Sequence, residues 1–152
     1  MTRVLVLQGP NLNLLGMREP AIYGRQTLAE IHAMIAERAA ALGLEVAFFQ
    51  SNHEGALIDR IQARDYEVAV VNAAGLTHTS VSLRDALLAV ERPFWEVHLS
   101  DPWKRDAFRS VNFLHDIAAA SIVGQGARGY LLALDGIAER FGGRPATAGD
   151  SA

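Results

Sequence analysis

An α/β fold built on one five-stranded parallel sheet is predicted by three observations. Five short aliphatic runs are spread along the chain, helix-period segments with capping signals lie between them, and the runs are apolar at consecutive positions, as strands covered on both faces are. The runs are Val4–Leu7, Val46–Phe49, Val68–Val71, Phe94–Leu99 and Ser121–Val123. After the first, Thr27 and Glu30 form a capping box, and Leu28, Ile31, Ile35, Ala39 and Leu42 recur at helical spacing until Gly43 stops the helix. Ser51 and Glu54 repeat the capping pattern ahead of Leu57, Ile58 and Ile61. Ser80–Val90 gives a third helix, closed by Pro93 shortly after, and Tyr130–Arg140 gives a last one that ends at Gly142-Gly143. The order is βαβαβαβ, an irregular stretch, then βα. Parallel neighbours need right-handed crossovers, so helices cover both faces. The doubly wound, flavodoxin-like strand order 2-1-3-4-5 follows. Residues 1–141 read as a single domain and the Gly/Ala-rich residues 142–152 as a loose tail.

Composition narrows the chemistry. A chain of 152 residues fits one domain that buries roughly 70% of its unfolded surface without disulfides or metals. At 50% hydrophobic and 20% charged it reads as an ordinary globular protein. With no cysteine there is no disulfide frame, no thiolate nucleophile and no Cys-ligated metal. The net charge is -3, and the arginines scatter from Arg3 to Arg144 without forming a basic stripe, which argues against nucleic acid as a partner. No segment approaches about 18 uninterrupted apolar residues, and Met1-Thr2-Arg3 runs straight into a strand, so neither a membrane span nor a signal peptide is expected and the cytoplasm is the default compartment. Only one of the 14 basic residues, Lys104, is a lysine.

In open α/β sheets ligands sit outside the carboxyl ends of the strands, so the loops after the strands carry the functional signal. The loop from Gln8 to Gln26 is far longer than the usual βα connection of about 2 to 6 residues. Gly16 and Gly24 bracket its Met17–Tyr23 stretch as possible hinges of a lid. The plainer reading is an irregular cover, although two Asn, an Arg and a Tyr exceed what turn-making needs. Asn72 ends the third strand, and His78 stands beside a helix start where backbone amides favour anions and oxygen-rich ligands. Thr79 and Ser80 fit ordinary N-capping. In the fourth strand Glu96 and His98 share one face at i and i+2, and such a pair in a covered strand is costly unless paired or used. A glutamate beside a histidine fixes its tautomer and raises its basicity, the arrangement of a general acid held ready; a purely structural buried pair is the alternative. Ser100 and Asp101 then open a polar loop toward Arg105 and Arg109, four residues apart and able to share a helical face.

Two other motifs lead elsewhere. Gly124-Gln125-Gly126-Ala127-Arg128-Gly129 matches the dinucleotide fingerprint, yet it follows the last strand, so no βαβ unit closes around it, and close packing of the last helix is the better account. A hydrolase triad of Ser80, His78 and Asp85 lacks the Gly-x-Ser-x-Gly elbow. The five histidines show no ligand pair at short spacing, so no metal is expected.

Taken together, Gly-Pro-Asn-Leu-Asn-Leu-Leu-Gly at 9–16, Arg-Glu-Pro at 18–20, Tyr23-Gly24, Thr-His-Thr-Ser-Val at 77–81, Leu-Arg-Asp-Ala at 83–86 and Glu-Val-His-Leu-Ser at 96–100 resemble type II 3-dehydroquinate dehydratase, from residue 4 to about 134. The resemblance implies reversible loss of water from 3-dehydroquinate to give 3-dehydroshikimate, by anti elimination through an enolate, without cofactor, metal or Schiff base. It implies a flavodoxin-like fold assembled as a dodecamer of trimers. Position by position it implies that Tyr23 is the base, assisted by Arg18 on the same loop, that Asn11 stabilises the enolate, and that His98, backed by Glu96, is the general acid. It further implies that Asn72, His78, Asp85, Arg109 and the Leu99-Ser100 backbone hold the substrate, Asp85 reaching the site of a neighbouring subunit. An ordinary tyrosine titrates at about 10, so phenolate at neutral pH requires about 3 units, or ~4 kcal/mol, of stabilisation, part of which a guanidinium supplies. The chain departs from the family at Ser110-Val111-Asn112-Phe113, where Arg-His-His-Ser is frequent after Phe-Arg, and at Gln8, where Asn or His is frequent. These departures bear on local packing and trimer contacts. The rival from another class is a flavodoxin-like module that binds a nucleotide or flavin without catalysis.

Overall fold

The computed structural model describes residues 1–17 and 19–142, with the side chain of Tyr23 left out. The elements run β1 (Arg3–Gln8), α1 (Pro20–Tyr23), α2 (Leu28–Leu42), β2 (Glu45–Gln50), α3 (Glu54–Gln62), β3 (Val68–Asn72), α4 (Val81–Val90), β4 (Phe94–His98), β5 (Ala120–Val123) and α5 (Arg128–Phe141). All strand pairs are parallel and the order is β2-β1-β3-β4-β5, as the sequence predicts. Gln8 of β1 and Asn72 of β3 are register partners at the carboxyl ends of adjacent strands.

Alternating side chains divide the core. Val4, Val6, Val68, Val70, Trp95 and Val97 pack on one face with Ile31, Ile35 and Ala39 of α2 and with Ala133, Leu134 and Ile137 of α5. Leu5, Leu7, Ala69, Val71 and Phe94 pack on the other with Leu57 and Ile61 of α3 and Leu83 and Leu87 of α4. Burial on both sides holds for β3 and β4 throughout and for β1 beyond its first residue, whereas β2 and β5, at the sheet edges, are covered only in part.

Helices α2 and α4 start as local chemistry predicts, and α3 does not. Thr27 Oγ1 accepts from the Glu30 amide at 3.2 Å while the Glu30 carboxylate accepts from the Thr27 amide at 3.4 Å, completing the capping box of α2. Ser80 Oγ accepts from the Leu83 amide at 2.9 Å and caps α4. The box expected of Ser51 and Glu54 does not form. The Ser51 amide still donates to the Gln8 carbonyl at 3.1 Å, which extends the β1–β2 ladder, and its hydroxyl accepts from the His53 amide at 3.0 Å. Helix α3 therefore begins two residues later, with His53 as N-cap.

The irregular stretch between β4 and β5 contains three 3₁₀ turns, Pro102–Lys104, Ala107–Arg109 and His115–Ile117. Arg105 lies outside the turn that holds Arg109, so the two do not share the face of one helix. Asp101 caps the first turn by accepting from the Trp103 amide at 3.1 Å, and the non-helical backbone of Arg105 and the extended backbone of Asp106 end it. Of the expected tail, Gly142 is the C-cap of α5 and residues 143–152 lie outside the described residues.

Candidate active site

The long loop after β1 is fixed at its start by a close approach. The Gly9 amide donates to the Asn72 carbonyl at 2.8 Å, and a Cβ at Gly9 would stand 2.4 Å from the Ala73 carbonyl oxygen, so no larger residue fits there. Asn11 adopts the left-handed conformation, φ 70°, and its amide donates to Asn52 Oδ1 at 3.0 Å. Gln50 ties the same region by donating to both the Gly9 carbonyl and Asn52 Oδ1 at 3.2 Å. Gly16 and Gly24 both have positive φ and flank the stretch read as a lid. Arg18 lies outside the described residues, and of Tyr23 only its place at the end of α1 is described.

These segments border a cavity of about 140 Å³ at the carboxyl ends of β1, β3 and β4. Its walls bring together Asn11 from the β1 loop, Asn72 and His78 after β3, and His98, Leu99, Ser100 and Arg109 after β4. Arg105 and Pro102 also line it. Arg105 is a site residue beyond those the resemblance implies; its signal in the sequence is a cation in the loop after a strand whose end carries Glu96 and His98. Asp85 is exposed on α4 and opens on a separate groove with Trp103, Asn112 and His115, so the chain does not bring it to its own cavity.

Glu96 and His98 meet as the strand alternation requires. His98 Nε2 lies 2.6 Å from Glu96 Oε2, and a nitrogen facing a carboxylate carries its proton, which leaves Nδ1 as the other functional nitrogen of the ring. Glu96 is completely buried and its carboxylate accepts two further hydrogen bonds: Asn112 Nδ2 donates to Oε2 at 2.7 Å and Ser121 Oγ to Oε1 at 2.7 Å. Burial alone raises a carboxyl, but the hydrogen bond and charge of His98, followed by the Ser121 and Asn112 hydrogen bonds, outweigh it and hold Glu96 at about 2. The anion beside His98 is therefore permanent at neutral pH. Ser121 also lies 3.0 Å from His115 Nδ1. The sequence marks Asn112 only as a departure from the family pattern and Ser121 only as a strand start; neither reads as a partner of Glu96, because each reaches it from far along the chain.

His78 is held differently. Its Nδ1 donates to the Val111 carbonyl at 2.6 Å, which makes Nε2 an acceptor for a hydroxyl, and burial lowers its pKa, favouring that neutral form. Arg109 Nε contacts Asp106 Oδ2 at 3.3 Å, leaving other guanidinium donors for an anionic ligand. The cavity thus combines an imidazole backed by a carboxylate, neutral amide and imidazole groups suited to hydroxyls, and arginines suited to a carboxylate. Among the described residues no three His, Asp or Glu side chains gather into a metal cage, and no helix is long and apolar enough to cross a membrane.

The glycine run at 124–129 has a packing role. A Cβ at Gly129 would lie 3.3 Å from both Val97 Cγ1 and Ile122 Cγ2, so the glycine lets the first turn of α5 settle against the sheet.

Comparison with known proteins shows the family. A family model described as "Dehydroquinase class II" matches residues 2–138. The chain is 58% identical over 143 residues to 3-dehydroquinate dehydratase 1 of Ralstonia nicotianae, covering 92% of each protein. It is 56% identical over 135 residues to 3-dehydroquinate dehydratase of Bordetella pertussis, covering 87% of this chain and 94% of that one. The crystal structure of type II dehydroquinase from Butyrivibrio crossotus superposes with a TM-score of 0.87 at 40% identity, covering 90% of this chain and 97% of that one. With its doubly wound sheet, its His98–Glu96 pair at a strand end and a family match across nearly all of its described length, the chain belongs to the class II dehydroquinase family.

Proposed function

We propose that the chain catalyses the reversible dehydration of 3-dehydroquinate to 3-dehydroshikimate, a step common to the shikimate pathway and to quinate breakdown, with residues 1–141 as the catalytic unit. The observation that carries this reading is His98 at the cavity wall, held at 2.6 Å by a buried, permanently ionised Glu96. A leaving hydroxyl is a poor leaving group until protonated, and a positioned imidazole supplies that proton.

In this reading Tyr23, as phenolate stabilised by Arg18, removes the proton alpha to the substrate ketone. The electron pair moves to the carbonyl oxygen, and Asn11 stabilises the resulting enolate. When the enolate collapses, the carbon–oxygen bond of the leaving hydroxyl breaks as His98 delivers its proton, and water departs. Tyr23 ends protonated and His98 neutral, so the proton count closes after one exchange with solvent. Asn72, His78 and the Leu99-Ser100 backbone are assigned to the substrate hydroxyls and carboxylate, and Arg109 to the carboxylate. Asp85, placed on a separate face, is assigned to a neighbouring subunit's site within a dodecamer of trimers, and the cytoplasm is the proposed compartment.

The test is growth of enone absorbance when dehydroquinate is mixed with purified protein and a chelator. Product formation is expected, and its absence refutes the reading. Tyr23→Phe and His98→Ala are each expected to lower turnover by roughly 10³-fold with the fold intact, which circular dichroism checks.

A further inference from the structure

Three buried side chains behind the cavity form a hydrogen-bond chain whose direction is determined at every link. Gln8, Asn72 and Tyr130 are 0%, 3% and 1% exposed. Asn72 Nδ2 donates to the Tyr130 hydroxyl at 2.9 Å, and that hydroxyl donates to Gln8 Oε1 at 2.7 Å. Gln8 Nε2 lies 3.3 Å from His32 Nε2, and an amide nitrogen only donates, so that His32 nitrogen accepts. At the other end Asn72 Oδ1 accepts from the Ala74 amide at 3.2 Å. Gln8 and Asn72 are the register partners that end β1 and β3, and Tyr130 spans them from the first turn of α5.

A carboxamide alone can turn end over end and exchange its oxygen for its nitrogen. Asn72 is denied that freedom: turning would aim Nδ2 at the Ala74 amide, donor against donor, and Oδ1 at a hydroxyl whose single proton is already given to Gln8. The phenol keeps that proton, because burial pushes Tyr130 up to about 12. One N–H and one lone pair of Asn72 remain to meet a ligand, since Asn72 also lines the cavity.

We infer that Tyr130 is a positioning residue, which reads the orientation of Gln8 and imposes on Asn72 the amide orientation that the substrate hydroxyl meets. The inference rests on the assignment of Asn72 to substrate binding. It gives the glycine run a purpose beyond packing, since close seating at Gly129 brings the hydroxyl of the next residue to the strand ends.

The test is a double-mutant cycle on the full, assembled chain, with kcat, KM for dehydroquinate and melting temperature measured for wild type, Tyr130→Phe, Asn72→Ala and the pair. Tyr130→Phe is expected to raise KM by about tenfold with kcat changed less than about threefold, and to change KM by less than about twofold in the Asn72→Ala background. An equal KM effect in both backgrounds identifies Tyr130 as merely structural and overturns the inference, as does an unchanged KM in Tyr130→Phe. If Asn72→Ala alone leaves KM unchanged, the substrate-binding assignment fails and the inference falls with it; if wild type makes no product, the proposed function itself fails. Should Tyr130→Phe not fold, Gln8→Met carries the same cycle: it frees the Tyr130 proton to turn toward Asn72, and a KM rise confined to the background that retains Asn72 is expected, its absence again overturning the inference.

Discussion

Asn112 donates its carboxamide N–H to Glu96 Oε2 at 2.7 Å, the same oxygen that holds His98 at 2.6 Å. Asn112 Oδ1 meanwhile accepts from the Leu114 and His115 amides at 2.8 and 3.0 Å, so one side chain ties the loop after Arg109 to the anion behind the general acid. This is one of the positions where the chain departs from the family pattern, and here the departing residue is built into the polar cluster. Asn112→Leu should destabilise the fold by about 1–2 kcal/mol by stripping a donor from a buried carboxylate and releasing two backbone amides. Urea denaturation at pH 7 measures it; an unchanged midpoint with an unchanged slope means that the bond contributes nothing.

Glu96 also makes stability depend on pH with a definite sign. Its carboxyl is held at about 2 in the folded chain against the ordinary glutamate value of 4.5, so the unfolded chain binds the extra proton first as pH falls. The stabilisation is complete above about pH 4.5 and is lost as pH drops toward 2; a shift of this size corresponds to about 3 kcal/mol. Glu96→Gln should flatten that part of the stability profile, and should lower turnover by roughly 10²-fold because an amide cannot stabilise the imidazolium. A wild-type and a Gln variant that lose stability in parallel between pH 5 and 3 would contradict the account.

His32 acts in the same direction at higher pH, although its folded state favours the neutral form rather than the charged one. It stacks on Phe48 with ring centroids 4.2 Å apart, and burial lowers its pKa from 6.5. The folded chain prefers the neutral ring, so the unfolded chain takes up protons first as pH falls below 6.5 and stability drops there. His78, also lowered by burial, adds to the same slope. His32→Phe keeps the stack and removes one titration, so its melting temperature should fall less than that of wild type between pH 7 and 5. Equal falls in the two proteins would exclude His32 as a source of acid lability.

The close approach at Gly9 makes a steric prediction. A Cβ 2.4 Å from the Ala73 carbonyl oxygen meets rigid backbone rather than a flexible side chain, so Gly9→Ala must displace the loop that carries Asn11. A loss of about 1–3 kcal/mol is expected, the usual range for overpacking, with turnover reduced as well. Gly55→Ala is the control: nothing lies within 4 Å of its Cβ position in α3, so thermal unfolding should be unchanged or slightly delayed.

What was legible in the sequence was what local chemistry decides. The Thr27–Glu30 box, the Ser80 cap and the i, i+2 placement of Glu96 and His98 each depend on a few neighbouring residues, and each stands where the pattern put it. Ser51 and Glu54 show the same local pattern and fail, because Ser51 is held in the β1–β2 ladder by a carbonyl 43 positions earlier, a tertiary constraint that propensity does not see. Arg105 and Arg109 look helical by spacing, but the Asp101 cap and Pro102 favour a single 3₁₀ turn that ends before Arg109. The Tyr130–Gln8 bond joins residues 122 positions apart, so only the folded chain reveals it.

Lys104 bears on which chemistry removes water. Its side chain is 83% exposed, and its ammonium lies 4.0 Å from Asp101, whereas an imine-forming lysine must be desolvated to lower its pKa. It is the only lysine in the chain. Lys104→Gln should leave kcat and KM within about twofold of wild type, and borohydride added with substrate should trap no covalent adduct by mass spectrometry. A trapped adduct would force the elimination to be rewritten through an imine.

The proposed assignment of Asp85 to a neighbouring subunit's site predicts cooperation between subunits. Its side chain opens on a groove with Val81, Trp103 and Asn112, away from the cavity of its own chain, and Val81, Trp103 and Val111 are exposed apolar residues at this surface. If a neighbouring subunit's cavity meets this face, one site draws His98 from one chain and Asp85 from another. Asp85→Ala and His98→Ala homo-oligomers should each be nearly inactive, with Asp85→Ala retaining the wild-type fold because its exposed side chain holds no hydrogen bond among the described residues. Co-refolding the two variants should restore activity, since mixed assemblies contain sites with both residues intact. The yield should follow the statistics of random mixing, up to about a quarter of sites if one boundary contributes each Asp85. Failure of the mixture to exceed the sum of its parts, with hybrid assemblies confirmed by native mass spectrometry, removes Asp85 from the neighbour's site.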